Sequence, residues 1–289
     1  MHVNRIYRDL LAESRNLLRT KDTRPRKRLG QNFVINSGII EKLIDYAEVK
    51  PTEVVLEIGS GLGYLTEALT YKARRVIAVE IDRRLVEILE DRLQDKNNVE
   101  IISGDILSIE LPKFDKVVSA PPYKISSPLI FRILEQQFKT AVLILQKEFA
   151  ARLQASPGEK EYSRLSVMTQ LRAQVEILDS VPPKAFYPEP EVNSSIVRLY
   201  PKPKNMEITD HEVFELLVRD LFGQRKRMLR KAIFPFLKYR MRLEEDQIDE
   251  FRRELPMSDC RVFALSPEDF VTLSNLVNEK ISATRNKLS

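Results

Sequence analysis

Four stretches of this chain carry residues suited to holding a nucleoside. Glu57-Ile58-Gly59-Ser60-Gly61-Leu62-Gly63 follows the apolar run Val54-Val55-Leu56 and leads into Tyr64-Leu65-Thr66-Glu67-Ala68-Leu69. The pattern predicts a buried strand, a glycine turn and a helix, the corner at which a nucleotide meets a helix N-terminus. The glycines let backbone approach a ligand closely. A dinucleotide fingerprint would need its last glycine where Tyr64 stands, so a nicotinamide dehydrogenase is disfavoured. Glu80 ends a second apolar run 17 residues past Gly63, where a carboxylate can accept both ribose hydroxyls. Asp105 ends a third, where it can meet an adenine amino group. The fourth, Ser119-Ala120-Pro121-Pro122-Tyr123, offers a proline-stiffened loop and an aromatic face.

Positioning these groups requires a parallel sheet with its strand ends aligned. Strands are expected near 53–58, 75–80, 99–103, 115–119 and 140–146, with helices near 64–71, 82–93 and 127–137 between them. Helices near 147–154 and 163–173 follow, split by Ala155-Ser156-Pro157-Gly158. Two further strands, Val175–Ser180 and Ser194–Tyr200, flank a proline-rich loop from Pro182 to Pro190. Before the sheet, Asn36 or Ser37 can cap a helix carrying Ile39, Ile40, Leu43, Ile44 and Ala47. Residues 1–20 read as a helix or a loose arm, with a partial stripe of Ile6, Leu10, Leu11, Leu17 and Leu18. Pro201-Lys202-Pro203-Lys204 reads as a linker. Beyond it, 210–222, 225–236, 244–254 and 267–281 have helical spacing and no strand signal. The expected boundaries are a basic arm at 1–23, an α/β domain at 24–201 and a small all-α domain at 205–289.

The 289 residues are 43% hydrophobic and 31% charged, the balance of a folded globular protein. No apolar run approaches the roughly 20 residues of a membrane span. A single cysteine, Cys260, fits a reducing cytoplasm. With only His2 and His211, a metal cluster or histidine-based catalysis is not expected. The net charge of +5 is unevenly spread. Arg15, Arg19, Lys21, Arg24, Arg26, Lys27 and Arg28 face one acid, Asp22, within 15–28. Residues 225–242 hold Arg225, Lys226, Arg227, Arg230, Lys231, Lys238, Arg240 and Arg242 with no acid. Either cluster alone reads as a solvated helix face, whereas two of them flanking a nucleoside-binding domain favour RNA.

The glycine run after Glu57 resembles motif I of S-adenosylmethionine methyltransferases, and the proline–tyrosine loop resembles the catalytic loop of enzymes that methylate adenine N6. More specifically, residues 24–201 resemble the small-subunit ribosomal RNA adenine dimethyltransferases of the KsgA type. Arg28-Leu29-Gly30-Gln31-Asn32-Phe33 is similar to that family's N-terminal cofactor motif. Pro121-Pro122-Tyr123-Lys124-Ile125-Ser126-Ser127-Pro128 is similar to its catalytic loop. Phe186-Tyr187-Pro188-Glu189-Pro190-Glu191-Val192-Asn193-Ser194 matches its F-x-P-x-P-x-V-x-S segment. The resemblance implies a Rossmann-like seven-stranded methyltransferase domain followed by the small helical domain. It implies S-adenosylmethionine bound by Asn32, Val34, Gly59, Gly61, Glu80, Asp105 and Ala120, and no metal. Ala120, Pro121, Pro122, Tyr123 and Phe186 would form the catalytic set, with Tyr123 and Phe186 stacking on an extruded base. The implied reaction is dimethylation of N6 on two adjacent adenosines near the 3′ end of small-subunit ribosomal RNA. A monomer working on the RNA or the pre-ribosomal small subunit is expected.

One position departs from the family. Asn is usual where Ala120 stands, so a side-chain carbonyl that would accept an N6 hydrogen is missing. Losing one oriented acceptor commonly costs a few kcal/mol of transition-state stabilisation, around a hundredfold in rate. Backbone carbonyls at Ala120 and Pro121 remain, and Ser119 or a water is a candidate for the other acceptor. Two rival readings follow, a large-subunit ribosomal RNA methyltransferase and an assembly factor that binds pre-ribosomal RNA but methylates feebly. Singly, Glu57, Asp105, Asn32, Tyr123 and Phe186 each read as ordinary turn, pairing or packing residues, and only their joint order argues for the site.

Overall fold

The computed structural model describes residues 9–203 and 206–288, so the start of the arm and Lys204 of the linker lie outside the described residues. The chain divides into two units, Met1–Ala150 with Ala173–Pro201 and Ala151–Arg172 with Lys202–Ser289.

In the first unit, α1 (Leu10–Thr20) and β1 (Phe33–Val34) precede α2 (Ser37–Ala47). Asn36 caps α2, its side chain accepting from the Ile39 N–H at 3.1 Å. Strand and helix then alternate as β2 (Val54–Ile58), α3 (Tyr64–Thr70), β3 (Arg75–Glu80), α4 (Arg83–Leu93), β4 (Val99–Ser103), β5 (Lys116–Ser119), α5 (Ser126–Leu134), β6 (Thr140–Gln146) and α6 (Lys147–Gln154). α7 (Arg164–Gln170) belongs to the second unit, and the first resumes with β7 (Ala173–Val181), β8 (Phe186–Tyr187) and β9 (Ser194–Pro201). The main sheet has seven strands in the order β4-β3-β2-β5-β6-β9-β7. β4, β3, β2, β5 and β6 pair in parallel, and β9 pairs antiparallel with both β6 and β7. This is the seven-stranded Rossmann-like sheet that the family resemblance implies. Burying both faces explains the near-continuous apolar runs, as in β2 and β6, where almost every side chain is buried.

The connections reverse direction between β2 and β5, so the carboxyl ends of these neighbours open a crevice at a topological switch point. A second, two-stranded ribbon pairs β1 with β8 (Phe33 opposite Tyr187, Val34 opposite Phe186), a pairing that strands so short did not reveal in sequence. The described part of the arm is a packed helix. Leu10 and Leu18 are buried, and the Ser14 hydroxyl lies 3.0 Å from that of Tyr64.

In the second unit, α8 (His211–Phe222), α9 (Leu229–Ala232), α10 (Glu245–Glu254) and α11 (Pro267–Leu288) surround Phe214, Phe236, Phe251 and Phe270, all buried. Two expectations change here. Residues 151–172, expected in the first domain, group with the helical tail. The Gly158 N–H donates to the Phe263 carbonyl at 2.8 Å, and the Tyr162 hydroxyl donates to the Leu265 carbonyl at 2.9 Å. Helical periodicity reports that a face is buried without reporting against what. The helix expected at 225–236 shrinks to the single turn of α9, followed by a π-helical turn, Phe236–Arg240. Pro235 contributes, since it has no N–H to continue the helical ladder.

Candidate active site: a cleft at the carboxyl ends of the strands

The cleft lies within the first unit. It encloses about 970 Å³ of space, its open mouth included, between the ends of β2, β3, β4 and β5 on one side and the Arg28–Phe33 segment on the other. Gly59, Gly61, Glu80, Asp105, Ala120, Pro121, Pro122, Tyr123, Asn32 and Phe186 all line it. Val34 does not line it. Its side chain is buried in the core while its backbone pairs with β8.

At the end of β2 the backbone turns back through left-handed glycines. Gly59 has φ +72° and Gly61 φ +58°, a region that costs any residue bearing a Cβ. A Cβ on Gly61 would stand 2.8 Å from the Phe33 ring, and one on Gly59 would stand 3.1 Å from Pro122. The glycines therefore allow the N-terminal motif and the Ala120–Tyr123 loop to close directly onto the turn.

Glu80 is buried at the end of β3. One carboxylate oxygen accepts the Gly61 N–H at 3.0 Å and the other the Asp82 N–H at 2.9 Å, so its plane is fixed toward the cleft. Burial raises its pKa above the usual carboxylate value despite these bonds. Asp105 holds its loop by accepting from the Leu107 N–H at 3.0 Å, and its second oxygen has no protein partner among the described residues.

The N-terminal motif is tied to the same strand end. The Gln31 amide and the Arg84 guanidinium both donate to Asp82, at 3.0 Å each. Burial alone would raise the Asp82 pKa, but these donors pull it down to about 2, so it stays ionised and keeps the motif anchored. The Asn32 amide, oriented by its partners, donates from its nitrogen to the Pro188 carbonyl at 2.9 Å. That bond joins the cofactor-type motif to the F-x-P-x-P segment. In the Ala120–Tyr123 loop, the Tyr123 hydroxyl shares a 2.5 Å hydrogen bond with Ser194, and burial raises its pKa. Lys124 closes the loop over the N-terminal motif, donating to the carbonyls of Lys27 at 3.0 Å and Arg28 at 3.3 Å.

Ser119 is not the missing acceptor. It is fully buried, and its hydroxyl donates to the Ile58 carbonyl at 2.6 Å. Glu57, behind the turn, is also buried and does not line the cleft. Its Oε2, the Ser60 hydroxyl and the Thr66 hydroxyl each lack a well-formed hydrogen bond. Burial pushes its carboxyl up to about 8, against the pull of the adjacent Thr66 and Ser60 hydroxyls, and the Glu80 charge pushes it the same way.

Sequence reasoning missed two wall residues. Ile81 and Ile106, each next to a strand-ending acid or its loop, also line the cleft, and Ile81 is 47% exposed. An apolar side chain immediately after a carboxylate at a strand end was the available signal. Two carboxylates, a glycine cradle that Cβ atoms would fill and apolar walls, with Ile81 exposed and Ile106 buried, fit an adenosine-bearing cofactor. S-adenosylmethionine meets that description.

A family model described as ribosomal RNA adenine dimethylase matches residues 23–276. A relative from Pyrococcus abyssi, named probable ribosomal RNA small subunit methyltransferase A, is 41% identical over 263 residues, covering 91% of this chain and 96% of that one. The crystal structure of a dimethyladenosine transferase from Plasmodium falciparum superposes with a TM-score of 0.77 at 33% identity, covering 86% of this chain and 98% of that one. That of the 23S rRNA methyltransferase ErmE gives 0.64 at 30% identity, covering 86% and 100%.

Proposed function

The chain belongs to the ribosomal RNA adenine dimethylase family, and from that premise we propose how its cleft works and on what. The protein is an S-adenosylmethionine-dependent methyltransferase that dimethylates N6 of two adjacent adenosines near the 3′ end of small-subunit ribosomal RNA, a step of ribosome biogenesis. The observation that carries the site assignment is the convergence of Glu80, Asp105 and the glycine turn with the Ala120–Tyr123 loop on one cleft.

In this reading Glu80, already fixed by two backbone donors, accepts the ribose hydroxyls, and Asp105 accepts from the adenine amino group with its unused oxygen. Ile81 and Ile106 cover the faces of the adenine ring. Asn32 and the glycine turn hold the methionine end. When bound, S-adenosylmethionine supplies an electrophilic methyl group. Tyr123, its ring steadied through Ser194, stacks on the extruded base, and Phe186, almost fully buried, contributes part of the cleft wall. With Ser119 committed to Ile58, the backbone carbonyls of Ala120 and Pro121 are the acceptors that orient the N6 hydrogens. The missing side-chain acceptor makes transfer slow and burdens the second methylation most, because the mono-methylated nitrogen must be reoriented.

Arg24, Lys27 and Arg28 carry no acidic partner among the described residues and supply phosphate contacts on the same unit as the cleft. The proposed acting form is a monomer, and a ribosomal substrate supports work in the cytoplasm.

The test is to incubate unmethylated small subunits with the protein and S-adenosylmethionine and to analyse the RNA by mass spectrometry. Dimethyladenosine at two adjacent sites is expected. The absence of any methylated adenosine, with cofactor and RNA both bound, would instead support a binding-only assembly role.

A further inference from the structure

Tyr239 is the most exposed large hydrophobic residue described, at 71%. It sits in the π-helical turn Phe236–Arg240 of the helical unit, whose first two residues, Phe236 and Leu237, are buried. π-Helical turns are rare and recur at functional sites. The neighbours of Tyr239 are anchored. The Lys238 ammonium pairs with Glu245 at 2.7 Å and lies 5.6 Å from the centre of the Phe234 ring. The Arg240 guanidinium pairs with Asp220 at 3.0 Å. A large aromatic ring is thus held out to solvent on a fixed turn, which lowers the conformational entropy lost if something stacks on it.

The charge around Tyr239 is mixed: Glu245 and Asp220 neutralise Lys238 and Arg240, and Glu244 follows two residues after Arg242, so Arg242 is the neighbouring cation left for an anion-bearing partner. Tyr239 lies within residues 225–242, which contain no acid, and three residues on Arg242 has no acidic partner among the described residues. Arg242 takes the left-handed φ of +57° just past the π-helical turn, the conformation that commonly ends a helix. Lys226 and Lys231 of the same acid-free stretch also form no ion pair with a described acid. An exposed aromatic ring three residues from a guanidinium with no described acidic partner offers what single-stranded RNA requires, a π-surface for a base and a cation for its phosphate.

We propose that Tyr239 and Arg242 form a stacking and phosphate-binding platform for an unpaired nucleotide of the ribosomal RNA substrate. The platform lies on the helical unit and is distinct from the cleft that methylates. It rests on the RNA substrate of the proposed function and adds to it a second contact, made by the helical unit, that selects single-stranded RNA.

The test uses the full chain and a fluorescein-labelled transcript of the small-subunit RNA 3′-terminal hairpin with its single-stranded flanks. Binding is titrated at several salt concentrations for the wild type, Tyr239→Ala, Tyr239→Trp and Arg242→Ala. Tyr239→Ala is expected to weaken binding about tenfold or more with an unchanged salt slope, while Tyr239→Trp keeps it, because stacking needs a ring and not a hydroxyl. Arg242→Ala is expected to flatten the slope by just under one. Cofactor affinity and the melting temperature of each variant, unchanged, show that the cleft and the fold are intact. Wild-type affinity in Tyr239→Ala, or equal loss in Tyr239→Trp, overturns the platform alone. A wild type that does not bind the transcript overturns the RNA reading and the platform together.

Discussion

Two glutamates at opposite ends of one strand show how differently the sheet treats its two edges. Glu53, just before β2, and Glu57, within it, are both almost completely buried. Glu53 accepts from the Lys50 N–H at 2.9 Å, the Lys116 ammonium at 3.1 Å and the Lys139 ammonium at 3.2 Å. Lys116 in turn donates to the carbonyls of Ala47 and Glu48, at 2.8 Å each, and Asp115 accepts from Lys139 at 3.0 Å and from the Val54 N–H at 2.8 Å. Burial works to raise the Glu53 pKa, and these partners outweigh it, leaving the pKa below the ordinary value. Glu57 has no such partners, and burial carries it upward to about 8. The amino end of the sheet is a closed network in which each charge is answered. The carboxyl end leaves groups unanswered beside left-handed glycines, and there the ligand cleft opens.

The sharpest way to break this contrast is Lys116→Met. It leaves Glu53 buried with one ammonium fewer and removes the donor to two carbonyls, so a loss of about 3–5 kcal/mol is expected in denaturant unfolding. Cofactor affinity of the remaining folded protein should be unchanged. A loss under about 1 kcal/mol would mean that the base network is dispensable.

Glu57→Gln should do the reverse. In the wild type the folded carboxyl stays protonated up to about pH 8, whereas the unfolded chain ionises near 4.5. The stability this group contributes is therefore full below about pH 4.5 and is lost as pH rises toward 8. The glutamine variant should escape that loss, gaining on the order of a few kcal/mol at pH 8 relative to wild type and flattening the stability–pH curve between these limits. Parallel curves for the two proteins would show that Glu57 is ionised in the fold.

Ala120→Asn tests the carboxyl end by rate instead of stability. An amide restored on the catalytic loop should raise methyl transfer about tenfold to a hundredfold, most for the second methyl, while the melting temperature moves little. An unchanged rate would show that the backbone carbonyls suffice.

Most of the carboxyl end was legible in the sequence, because strands that end at or just before Gly59, Glu80, Asp105 and Ala120 declare themselves by apolar runs that stop near a chemically distinct residue. The β1–β8 ribbon was not legible, since strands this short carry no period and its pairing joins residues far apart in the chain. Val34 illustrates the cost, for the resemblance implied a cofactor contact and the ribbon turns its side chain into the core. Asp82 was also missed as the anchor of the Gln31 motif, because an acid after a strand reads equally as a helix cap, and it is that too. The base network was invisible for a related reason: Lys116 and Lys139 look like ordinary surface lysines until folding brings both to Glu53.

The central claim, that the cofactor sits against the carboxyl end of the strands, is tested most directly by calorimetric titration of S-adenosylmethionine into the wild type and Glu80→Ala. Loss of a buried carboxylate aimed at the ribose should weaken binding by roughly tenfold to a hundredfold while the fold persists. Equal affinity in the two proteins would place the cofactor elsewhere and contradict the account.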